Sequence, residues 1–185
     1  MKKCLGAPLA GAIVAFIWAS ISWMVLPWHN LDMKSFKDDG VAITQAIQHE
    51  ATESGIYTIP NMTKDLHENK EKSKEWAEKA QKGPFAYLAV DLKGTKWDMR
   101  MGLMVQFIIL LIVAFVGSWI INKSSMQGVF KNAIFLSFAV TAGAFLVHAS
   151  NWNWWGFPVM TTVVNFVDPA IAWFLAGLVM AKIIK

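Results

Sequence analysis

The chain has 185 residues, 55% of them hydrophobic and only 16% charged, with a formal net charge of +4. A soluble domain carries about 25% charged residues, so an ordinary water-soluble globule is excluded. The single cysteine, Cys4, excludes an intramolecular disulfide. The positive balance is no nucleic-acid footprint, because the charges crowd between about residues 31 and 100 and leave the flanks nearly bare.

Residues 5–26 form the first apolar run. A bilayer core about 30 Å thick needs roughly 20 helical residues, so this run is a membrane span. It exceeds the about 7–15 residues of a signal-peptide core and no A-x-A site follows it, which predicts a retained anchor. Ala7, Gly11, Ala15 and Ala19 recur at every fourth position. Such a stripe of small side chains lets another helix approach closely in lipid.

The span is followed by a water-facing insert, residues 28–100. "DDGVAITQAIQHEA" has apolar residues at helical spacing with Asp38 or Asp39 as cap, and "SGIYTIPN" predicts a short strand stopped by Pro60. "TKDLHENKEKSKEWAEKAQKG" predicts a helix over 64–82 ending at Gly83, and "PFAYLAVDLKG" a second strand. Two strands make a marginal sheet, which calls for cover from the insert helices, the bundle end or another subunit. His49 with Glu53 and His67 with Glu71 are four apart, on one helix face each. A zinc peptidase helix would need a second histidine in each, so no metal is expected.

Three further spans are predicted over 103–121, 133–150 and 159–181, the third separated from the fourth by a short turn at 151–157. Lys2, Lys3, Lys123, Lys131, Lys182 and Lys185 fall at ends that share one side, without an acid. From Asp32 to Arg100 there are 11 basic and 12 acidic residues, net −1. Both termini are therefore expected in the cytoplasm and the insert outside, as suits a bacterial inner membrane. Trp28, Trp97, Trp152, Trp154 and Trp155 gather at the outer interface, where an indole finds both an apolar and a polar environment.

The fourth span contains Asp168, with Pro169 directly after it. Thr161, Asn165 and Asp168 share one helix face, and Pro169 cannot donate to the carbonyl of Asn165. Asp168 should lie roughly 9–15 Å below the outer surface, at about 1.5 Å per residue, and be buried in protein or beside a wet recess. His148, Gln106, Ser20 and Ser22 are its expected partners, in a hydrogen-bonded clasp or a proton or cation site. No cofactor is expected: only His148 lies near a span, which leaves haem without paired ligands, and no phosphate loop, C-x-x-C or G-x-S-x-G occurs. Met99, Met101 and Met104 are read as packing rather than as copper ligands.

"SWMVLPWHN", "SGIYTIPN", "GPFAYLAV" and "NWNWWGF" together resemble a group of bacterial four-span inner-membrane proteins that has no assigned activity. The resemblance covers nearly the whole chain and implies architecture but no chemistry. The span count also resembles claudin-type adhesion proteins, whose W-G-L-W run and cysteine pair do not occur here.

The expected architecture is an all-α four-helix transmembrane bundle with a small extracytoplasmic α/β insert. Its parts are an anchor at 1–27, the insert at 28–100 and three spans within 101–185. The expected function is that of a non-enzymatic membrane protein, in contact with lipid, that forms a homo-oligomer or binds an envelope protein. A small oligomeric transporter or channel built on Asp168 is the alternative, and a lipid-handling enzyme lacks a nucleophile–base pair.

Overall fold

A computed structural model describes residues 2–31 and 33–185 and orders them as α1 (Lys2–Met24), α2 (Val41–Glu50), β1 (Gly55–Ile59), α3 (Lys70–Lys82), β2 (Ala86–Val90), α4 (Met99–Lys123), α5 (Val129–Trp155) and α6 (Val159–Ile184). Met1, Asp32 and the side chains of Lys2, Lys3 and Cys4 lie outside the described residues, as do the readings placed on them. The chain divides into two units, residues 34–96 with 154–156, and the remainder.

Helices α1, α4, α5 and α6 are each long and apolar enough to cross a membrane. They meet through small residues. A Cβ on Gly11 would run into the Met180 thioether, and one on Gly177 would stand 2.9 Å from Ala133 Cα. Ala7, Ala12, Ala15, Ala176 and Ala181 are fully buried, so backbones approach where lipid offers no hydrophobic drive for association. Within the stripe on α1, Gly11 meets Met180 of α6 in its own chain. Ser137 Oγ donates to the Ala170 carbonyl at 2.7 Å, and Phe130–Phe174 and Phe145–Phe166 ring contacts continue the α5–α6 seam.

The second and third predicted spans grow at both ends and the fourth at its C-terminal end, whereas the first stops at Met24, two residues short of its predicted end. Asp98 caps α4 by accepting from the amides of Arg100 and Met101, so the helix starts four residues before the apolar run. Buried Asn132 ties the start of α5 by donating from Nδ2 to the carbonyls of Met126 and Gly128. The expected turn at 151–157 is corrected over its first five residues: "NWNWW" is helical, because nothing breaks α5 before Gly156, where φ turns to 67°.

In the smaller unit β1 and β2 pair antiparallel, with Gly55 opposite Val90 and Ile59 opposite Ala86. The expected order of helix, strand, helix, strand holds, with two corrections. Asp38 and Asp39 take left-handed φ of 48° and 52° and cap nothing; Gly40 occupies the cap position of α2. The single helix expected over 64–82 is a 3₁₀ turn at Lys64–His67 followed by α3, because Asn69 accepts from the amides of Glu71 and Lys72 and so starts a new helix. Trp76 packs edge-on to Phe85 and donates to the Pro60 carbonyl, and Tyr87 lies against Trp155.

Candidate functional site

The last turns of α1 place Trp18 and Ser22 on one face, four residues apart. Leu26, constrained by the following proline, is extended, and Pro27 opens a 3₁₀ turn over Pro27–Asn30. That turn folds the chain back on α1. Trp28 Nε1 donates to Ser22 Oγ at 3.0 Å, His29 Nε2 lies 2.8 Å from the same oxygen, and Trp23 stacks on the imidazole at 4.0 Å.

Asp168 of α6 completes the cluster. Its Oδ1 accepts from Trp18 Nε1 at 2.6 Å, and its Oδ2 lies 3.4 Å from His29 Nε2. The side chains of His29 and Asp168 are 5% and 15% exposed, and Ser22 is fully buried. A carboxylate at that depth is costly unless donors satisfy it, and here Trp18 of α1 donates to it while His29 of the turn lies beside it. Nε2 thus faces two oxygens, Ser22 Oγ at 2.8 Å and Asp168 Oδ2 at 3.4 Å, and the tautomer sets which partner of the Ser22–His29 bond donates.

Serine, histidine and aspartate in one cluster invite comparison with a hydrolase triad, and the geometry rejects it. In a triad the carboxylate holds one ring nitrogen while the hydroxyl meets the other. Here both meet Nε2, and Ser22 Oγ is buried and already accepts from Trp28. The cluster is a clasp between α1 and α6.

Beside it lies a cavity of about 280 Å³, walled by Trp23, Trp28 and Phe157 and lined on its polar side by His29, Thr161 and Asn165. The expected face of the fourth span is therefore shared between two neighbouring features, Asp168 in the clasp and Thr161 with Asn165 in the cavity. The other expected partners are elsewhere. His148 is half-buried on α5 and Gln106 is exposed on α4, neither joined to Asp168, and Ser20 donates to the Phe16 carbonyl of its own helix. Sequence reasoning missed Trp18 and His29. The signal was the "PWH" that follows the span, with a proline able to return a histidine onto the helix it has just left.

The interfacial tryptophans diverge. Trp97, Trp152 and Trp154 are exposed, Trp155 is half-buried against Tyr87, and Trp28 belongs to the clasp. Neither His–Glu pair shares a helix: Glu53 lies past the end of α2, and His67 precedes α3. Among the described residues, no group of three or more His, Cys, Asp or Glu is placed to hold a metal ion. No protein-family model matches the chain, and comparison with curated proteins and with solved structures finds no match.

Proposed function

We propose that this is a non-enzymatic multi-pass protein of a bacterial inner membrane that assembles with a second copy of itself through the unit at 34–96. One observation carries the reading. Among the described residues of 34–96, only Gly40 is buried, and Phe36, Val41, Ile43, Ile56, Ile59 and Met62 are 42–68% exposed. A unit that buries no apolar side chain of its own has little to offset its chain entropy, and a second copy supplies the missing cover.

The strands support the same partner. Each strand of a two-stranded sheet has one open edge, and neither "GIYTI" nor "AYLAV" contains the charge or proline that guards such an edge. The net charge of −1 over Asp32 to Arg100 puts no repulsion between copies. Native mass spectrometry in mild detergent tests this: a dimer or larger assembly is expected, shifting to monomer with Ile56→Lys at an exposed strand position. A strictly monomeric native particle overturns it.

The lysine asymmetry supports termini inside and the insert outside. In a Cys4→Ser background, Glu68→Cys and Lys123→Cys should label from opposite sides of the membrane; labelling from the same side ends this threading.

A second reading, a proton or cation pathway, rests on the buried approach of His29 to Asp168. Proteoliposome flux abolished by Asp168→Asn would support it, and robust flux insensitive to that change would remove it.

A further inference from the structure

The cavity beside the clasp goes beyond assembly, because its lining specifies a ligand class. We infer that it takes the uncharged, flat head group of a lipid quinone, with the tail left in the bilayer.

Charge comes first. Among the described residues, the cavity lining contains no Lys, Arg, Asp or Glu. The carboxylate of Asp168, beside the lining residue His29, accepts from Trp18. A phosphate or carboxylate would find no formal counter-charge unless it won His29 from Asp168, and an ammonium would compete for a carboxylate that Trp18 already engages. A neutral head group meets neither cost.

Shape and polarity narrow the class. Trp23, Trp28 and Phe157 supply aromatic walls, against which a conjugated ring packs better than a branched or saturated head does. At about 280 Å³ the space is at the low end for ligand pockets, enough for a single ring. Asn165 lines this space from within the fourth membrane-crossing helix. Its carboxamide makes no hydrogen bond among the described residues. Asn165 is half-buried, and a ring carbonyl that accepts from its Nδ2 gives the amide a partner inside the cavity. Thr161, one turn earlier on the same face, also lines the cavity. A quinone combines neutrality, a flat ring, carbonyl acceptors and access from the bilayer.

The test is binding by the full-length protein in nanodiscs, with decyl-ubiquinone as probe and tryptophan quenching as readout. Saturable quenching is expected. Asn165→Leu should weaken it about tenfold through the lost hydrogen bond, and Thr161→Phe, which narrows the cavity without touching the amide, should weaken it too. Phe138→Ala, on an exposed position of α5, should leave it unchanged. Quenching that never saturates and rises only with probe in the lipid is partitioning and overturns the assignment. So does unaltered binding in both cavity variants, provided each elutes and melts as a folded protein. Displacement of the probe by phosphatidylethanolamine or phosphatidylglycerol as effectively as by menadione would assign the cavity to phospholipid and also overturn it.

Discussion

Trp18 Nε1 donates to Asp168 Oδ1 at 2.6 Å, joining the first and last membrane-crossing helices across 150 positions of chain. The bond explains how a carboxylate persists inside α6. Trp18→Phe retains a ring of similar character and removes only the donor, so it should cost about 1–3 kcal/mol, the range for leaving a buried acceptor short of a partner. Denaturant unfolding in detergent of Trp18→Phe, Asp168→Asn and the double variant measures the coupling. Strictly additive losses would show that the two side chains do not act together.

Ser22 Oγ is the shared anchor of the turn that follows α1, meeting both Trp28 and His29. Ser22→Ala leaves the Trp28 indole without that acceptor and loosens the turn. Backbone amides over 28–31 should then exchange with deuterium faster than in the native protein. Ser20→Ala is the matched control, because Ser20 bonds only the Phe16 carbonyl of its own helix. Equal exchange in the two variants would deny Ser22 its anchoring role.

The four spans were legible because a run of about 20 apolar residues has few alternatives to a membrane helix. Asp168 was legible as a site for the opposite reason: it breaks such a run. Its partners were not. Sequence spacing places Asn165 and Thr161 on its face, but whether His148, Gln106 or His29 reaches it depends on which helix packs beside α6 and how the chain leaves α1. Gly11 and Gly177 decide the first by letting α1 and α5 close on α6. Pro27 decides the second. The break within 64–82 was hidden by the strong helical composition on both sides of Asn69, whose side chain favours the cap over the interior. Asp38 and Asp39 misled by residue type, since capping needs an extended backbone and theirs is left-handed.

On the insert, Lys72 hydrogen-bonds Asp65 at 3.0 Å, and that bond with its charge holds the Asp65 carboxyl below the ordinary value. Lys79 lowers Glu75 in the same way. A carboxyl depressed in the folded state stabilises above its unfolded pKa, and the contribution is lost as pH falls through the folded value. Protection of the 64–82 amides, corrected for intrinsic exchange, should therefore decline below about pH 4. Both pairs are fully exposed, so the effect is small and salt should screen it. Asp65→Asn should flatten the decline; an unchanged profile would place its origin elsewhere.

Two glycines in membrane helices should respond in opposite ways to enlargement. Gly177 faces the Ala133 backbone, where even a Cβ stands 2.9 Å from Ala133 Cα and 3.3 Å from its carbonyl oxygen. Backbone cannot swing aside as a side chain does, so Gly177→Ala should force α5 away from α6 and cost about 1–3 kcal/mol, with Gly177→Leu costing more. The separation would also stretch the Ser137–Ala170 bond on the same seam. Gly143 meets nothing within 4 Å at the corresponding position of an added Cβ. There Gly143→Ala should leave stability unchanged or raise it by up to about 1 kcal/mol, because alanine gives up less chain entropy in a helix. Thermal melts of the three variants in one detergent make the comparison. A Gly177→Ala protein as stable as the native one would mean that α5 and α6 do not close at this glycine.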